Sequence, residues 1–433
     1  MEPIMKTNRR KFLTTAAALA AASAAPASGA ARASVIKDGK IDWNAVRDDF
    51  PWIKNSLWLS GSDYHPVSVH GQRAVDTYYK WRVGGPKGGG SRYSGEMQRE
   101  TKELFGKIIG AEADEIAFIH NTTECENLVT AGMGLVHKKG NIVLDDLHYQ
   151  ASKYLYHMLE REGDLELRVV RSRKDDFWRT EPRDMIAAID DNTLLVSMAL
   201  VSNINGFLHD AKATSEAAHA RGAYVYADII QGAGAIPIDV RALGIDFAGC
   251  GTYKWLQGDM GFGFLYVKRE LQQTVVKRTR YGTRQFSNPN RAQADSKFDL
   301  RPGAVIYESS STLPWVQGMI ALEALKYIDM LGIENIRGHV RPLTDRLQRE
   351  LPRLGYPAIT PPGNPTPIVS FLTPNQDETR AKLDKAFGYF VIALKRWEFT
   401  HPSGETRVIR GMRIGPSIYN NDEDIDRLLA ALA

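Results

Sequence analysis

Between roughly residues 115 and 268 short apolar runs alternate with longer amphipathic stretches, and this alternation constrains the fold more than any other feature. The runs fall at 115–120, 141–145, 165–171, 193–202, 224–228, 247–250 and 263–268. Several are unbroken β-branched or aliphatic stretches, as expected of strands buried on both faces. Helical patterns lie between them; the one at 211–221 is stopped by Gly222. The predicted fold class is therefore α/β: a large domain with a mostly parallel seven-stranded sheet flanked by helices, plus a smaller α+β domain.

A chain of 433 residues is too long for one small core, which fits that division. The expected organisation is an export signal over 1–33, a segment over 34–74 joining the small domain, and the large domain over 75–305. A linking helix over 306–334 and the small domain over 335–433 complete it. The helical pattern begins near Thr312, strands are expected near 368–372 and 407–414, and a last helix at 423–432. The glycine-rich stretch 84–90 reads as a mobile loop.

The N-terminus reads as an address. Arg9-Arg10 precede Phe12-Leu13, an Ala-rich run extends to about Ala25, and Pro26 breaks it. Ala31-Arg32-Ala33 supplies a small-residue cleavage pattern, placing the mature start near Ser34. This resembles a twin-arginine signal and implies a periplasmic protein that engages the twin-arginine translocase, without a stable membrane anchor. The net charge of +4 is carried by the first 33 residues, so the remainder is neutral and nothing points to nucleic acid. The two cysteines, Cys125 and Cys250, exclude a disulfide framework and a Cys-based zinc site; they read as buried free thiols, with one disulfide formally open.

In α/β sheets ligands sit at the carboxyl ends of strands, so residues just after the predicted strands carry most weight. Lys254 lies in an apolar turn between two strands, near Gly251, Gly258, Gly261 and Gly263. Buried lysines are rare, and desolvation makes a nucleophilic amine of the kind that joins a carbonyl cofactor. The glycines would let backbone approach a ligand. Asp228 suits a pyridinium N–H, or else caps a helix. Thr122 and Thr123, just before a helical run at 127–135, read either as an anion site or as a plain N-cap. Tyr149 would stack on a planar ring or belong to the core, and His148 would be a general acid/base or a structural histidine. Asn203 would bond a ring hydroxyl, although the nearby Asn205-Gly206 is also a turn signal.

Thr122-Thr123-Glu124, Tyr149, Asn203, Asp228-x-x-Gln231 and Lys254 occur in this order along the chain. Together with Gly411-Met412-Arg413-Ile414-Gly415 and the Tyr419–Asp426 tail they resemble the class V aminotransferase family of fold-type-I pyridoxal 5'-phosphate (PLP) enzymes. That family includes cysteine desulfurases and isopenicillin N epimerase-like proteins. The resemblance implies a PLP Schiff base on Lys254, which would also move the α-proton. Thr122, Thr123, Thr252 and Tyr253 would contact the cofactor, with Asn203 and Gln231 near its hydroxyl and Arg413 clamping a substrate carboxylate. Ser311 or Thr312 would reach the phosphate of the other subunit, implying a homodimer.

Ile230 stands where the family usually has Ala, and Tyr253 where it usually has His, which bears on cofactor packing. No cysteine lies between Leu351 and Arg413, where the desulfurases carry their nucleophile, so persulfide chemistry is not expected. The expected activity is aminotransferase-like, on a small-molecule amino acid or a peptide or siderophore group; an epimerase or a C–S or C–C lyase of the same family is the alternative. From other classes, a dinucleotide-binding dehydrogenase lacks its G-x-G-x-x-G after a first strand, whereas a non-catalytic exported binding protein stays open.

Overall fold

The computed structural model describes residues 35–173, 179–287, 298–389, 391–400 and 406–433. The expected signal and its cleavage point lie outside them. Two compact units are distinguished, Met1–Val46 and Arg47–Ala433. In the first, strands β1 (Ile36–Lys37) and β2 (Lys40–Ile41) form a hairpin whose turn residues Asp38 and Gly39 both have positive φ. Short hairpins favour this backbone at Asp-Gly because it matches the strand twist.

The second unit carries the main sheet. Its strands are β3 (Ile116–Ile119), β4 (Gly140–Asp145), β5 (Leu165–Val170), β6 (Thr193–Ala199), β7 (Tyr224–Asp228), β8 (Phe247–Gly251) and β9 (Gly263–Val267). Seven strands form, as the apolar runs predict, in the order β3-β9-β8-β7-β6-β4-β5. Neighbours pair in parallel except around β9, which runs against both β3 and β8. Because β3 opposes β9, it points the same way as β8, so the carboxyl ends of six strands share one edge. The order reverses between β4 and β6, which opens a crevice at that edge.

Helices cover the sheet. Thr122–Gly132 packs on β8 and β9, Gln150–Glu162 on β5, and Ala211–Ala220 on β6 and β7. Trp315–Leu331 packs against Val69–Gly84 and Gly95–Ile109. It starts three residues after the expected Thr312, because Pro314 takes the N-cap position and fixes where the helix can begin. Thr122–Gly132 starts five residues earlier than expected, since Asn121 caps it through a 2.9 Å bond from Glu124 N to Asn121 Oδ1.

The C-terminal region holds a second sheet of β10 (Val369–Leu372), β11 (Ala393–Thr400) and β12 (Thr406–Ile414), antiparallel in the order β10-β12-β11. Strand β11 was not predicted: Lys395, Arg396 and Glu398 interrupt its apolar pattern. Leu57 and Leu59 join its core with Val369, Phe371, Met412 and Ile414. The stretch 84–90 is a shaped turn rather than an open loop: Gly85–Lys87 form a 3-10 turn, and a Cβ on Gly90 (φ 86°) would fall 2.2 Å from Thr77 O.

Candidate active site

Five strand ends, those of β3, β4, β6, β7 and β8, place residues at the crevice. A pocket is lined by Asn121, Thr122 and Thr123 after β3, Tyr149 after β4, and Asn203 after β6. Asp228, Ile230 and Gln231 at the end of β7, and Tyr253 and Lys254 after β8, close it.

Lys254 is 8% exposed. Burial, aided by the nearby Arg413 charge and opposed by Asp228 and Asp63, lowers its pKa to about 8. Asp228 moves the other way: burial pushes it up to about 6, against a bond accepted from Ile230 N at 3.0 Å and the attraction of Lys254. Burial penalises whichever form is charged, so an amine and a carboxylic acid are driven toward neutrality from opposite sides. Ile230 packs beside Lys254's loop, where a Cβ on Gly251 would lie 3.2 Å from Ile230 Cδ1.

The first backbone N–H groups of helix Thr122–Gly132, which lines the same pocket, have no partner within the helix and make a terminus of the kind that suits an anion. Thr122 Oγ1 accepts a hydrogen bond from Gly251 N at 3.1 Å, tying the terminus to β8. Gln231 is oriented by both ends of its amide: Nε2 donates to Ser62 O at 3.0 Å and Oε1 accepts from Trp255 Nε1 at 2.9 Å. Asn203 Oδ1 is buried with no hydrogen-bond partner among the described residues, an acceptor without a donor at the pocket wall.

Other expected residues lie off the pocket. The buried Thr252 shares its one hydroxyl proton between Asp259 O at 2.7 Å and Phe262 O at 2.9 Å, shaping the turn that contains Lys254. Two glycines of that turn make room for protein: Cβ atoms at Gly258 and Gly263 would meet Thr252 and Cys250 O, each at 2.6 Å. Ser311 and Thr312 are exposed and do not line this chain's pocket. Arg413 is 3% exposed, just behind the wall, donating from Nη1 to Asn203 O at 2.6 Å and paired through Nη2 with Asp63.

His148 does not line the pocket either, so the expectation of an acid/base at its surface is corrected. Its Nδ1 accepts from Tyr149 N at 2.7 Å, which places the proton on Nε2, 3.0 Å from Ser197 Oγ. Ser197 donates in turn to Glu126 Oε1 at 2.9 Å, which also accepts from Tyr156 OH at 2.7 Å. Burial lowers His148 to about 3 and raises Glu126 to about 7, so their 3.8 Å approach is not an ion pair of full charges. His148 therefore orients the backbone at Tyr149, a residue 42% exposed at the pocket. Sequence reasoning missed Asn121, Glu126, Asp63 and Lys395; among these only Asn121 carried a local signal, as a capping residue type beside a strand end.

The profile described as Aminotransferase class-V matches residues 72–428. The chain belongs to that family. It is a PLP-dependent class V enzyme. It is similar to a probable cysteine desulfurase of Methanothermobacter thermautotrophicus, 27% identical over 404 residues, covering 88% of this chain and 95% of that protein. Among solved structures it is similar to an apo cysteine desulfurase from Thermococcus onnurineus (TM-score 0.74, 22% identity, 89% of this chain and 96% of that one). It also shares its fold with a cystine C–S lyase in complex with its product cysteine persulfide (TM-score 0.76, 17% identity, 88% and 98%).

The residues present fit the cofactor of this class V enzyme. The unpartnered Asn203 Oδ1 needs a donor such as a ring hydroxyl, and buried Asp228 needs a cationic N–H. The helix terminus at Thr122–Thr123 suits a phosphate, and Lys254 supplies the amine.

Proposed function

We propose that this class V enzyme is an exported, homodimeric protein that acts on an amine of an amino acid, peptide or siderophore, aminotransferase-like in opening with removal of the proton from the amine-bearing carbon. One observation carries the reading: Lys254, its pKa lowered to about 8, shares one pocket with the buried Asp228.

When bound, PLP supplies an aldehyde that condenses with amines and a ring that withdraws electrons from the adjacent C–H bond. The chain's residues do the rest. Backbone N–H groups at Thr122 and Thr123 would hold the phosphate, Asp228 would accept the ring N–H, and Asn203 and Gln231 would flank the hydroxyl. Tyr149 would cover one face. Lys254, more readily neutral than an ordinary lysine because burial lowers its pKa to about 8, takes the proton from the amine-bearing carbon and returns it at a second position. Export rests on Arg9-Arg10 and the Ala-rich run, and dimerisation on the family resemblance, in which the exposed Ser311 or Thr312 would reach a partner's pocket.

Cleavage of a C–S bond is the second reading, favoured by the fold shared with the cystine C–S lyase. A persulfide route through this chain's own thiols is not supported: Cys125 and Cys250 are buried, off the pocket, and their pKa values are pushed up by burial.

The test is incubation of the PLP-loaded protein with pooled amines in D2O, products read by mass spectrometry. Deuterium at the amine-bearing carbon of the recovered amine, together with a carbonyl product that has lost nitrogen, supports the proposal, and sulfur loss favours the second reading. No deuterium uptake, or equal uptake by Lys254→Ala, contradicts both.

A further inference from the structure

Asp63 is held from three directions at the rim of the site. Its Oδ1 accepts hydrogen bonds from Arg413 Nη2 and from Lys395 Nζ at 3.0 Å, and its Oδ2 accepts one from Ser60 Oγ at 2.8 Å. Burial alone would raise its pKa, but Arg413, Lys395 and Ser60 outweigh it and the carboxylate stays ionised. Arg413 donates from Nη1 to Asn203 O, and its Nε–H is buried with no hydrogen-bond partner among the described residues. The guanidinium expected to clamp a substrate carboxylate thus already carries an internal one. A second carboxylate there must displace a three-donor ion pair or sit beside a like charge at low dielectric.

We propose that Asp63 is a specificity-determining residue: it takes the carboxylate's place on Arg413, so the pocket selects amines whose reacting carbon bears an uncharged amide carbonyl over free α-amino acids. The N-terminal residue of a peptide is such an amine. The inference rests on the reading of Lys254 as the lysine that carries PLP. An amide brings no charge to the Arg413–Asp63 pair and leaves its three donors in place.

The experiment titrates PLP-loaded protein with L-alanine and with L-alaninamide, following the visible absorbance of the lysine-bound cofactor. The amide is expected to half-saturate at a concentration at least about tenfold lower. Asp63→Asn, which keeps an acceptor but removes the charge, is expected to shift the preference at least about tenfold toward the free acid. The wild-type ratio decides by itself if that variant does not fold. A wild type that prefers alanine, or a variant with an unchanged ratio, overturns the role of Asp63 alone; a protein that forms no lysine-bound cofactor overturns the reading beneath it as well.

Discussion

Burial acts on Lys254 and Asp228 with opposite signs, and the pH dependence follows from each. The Lys254 pKa falls from 10.5 to about 8, so the unfolded chain binds more protons between those values and stability rises with pH across that window. Turnover limited by this base is expected to rise through about pH 8, measured as kcat against pH. The folded Asp228 titrates near 6 against 3.8, so the native state binds more protons in between and stability falls as pH rises through that range. Asp228→Asn should therefore stabilise the cofactor-free protein at neutral pH by up to about 3 kcal/mol, an advantage lost below about pH 4, while slowing α-proton exchange at least about a hundredfold. Thermal melts at the two pH values, paired with the exchange assay, check both halves. An Asp228→Asn protein no more stable than wild type at neutral pH would mean the carboxylate is not strained.

The helix Thr122–Gly132 links packing to cofactor binding at the scale of one element. Removing its cap with Asn121→Ala is expected to cost about 1 kcal/mol in denaturant unfolding. The variant should also lose part of the extra stability that added PLP gives, because the frayed terminus holds phosphate less well. Runs buried on both faces, such as Val225–Ala227 within β7, were legible because no polar residue interrupts them. Strand β11 was not, because a half-polar strand on a small sheet resembles a solvated helix face. Starts such as Trp315 depended on which residue became the cap, a choice settled by packing. Asp63 was invisible for a simpler reason: its partner Arg413 is 350 positions away, and only the fold brings them together.

For the whole molecule, the order of strands assembles the site. Reversal between β4 and β6 opens the crevice, and the antiparallel β9 lets β3 deliver the N-terminus of helix Thr122–Gly132 to the pocket that Lys254 lines. The residues after β3, β7 and β8 were legible in advance, whereas the burial of His148 depended on Ser197 of β6 and Glu126 of helix Thr122–Gly132, and the internal ion pair at Arg413 on the second sheet. Replacing Arg9 and Arg10 by Lys is expected to abolish appearance of the protein in the periplasm, read by fractionation; export at the wild-type level would refute the signal. The central claim is that Lys254 carries PLP, and borohydride reduction followed by peptide mass spectrometry tests it most directly. The account predicts a single reduced adduct on the peptide containing Lys254, absent in Lys254→Ala. A folded protein that traps no PLP at Lys254, or traps it at another lysine, would contradict it.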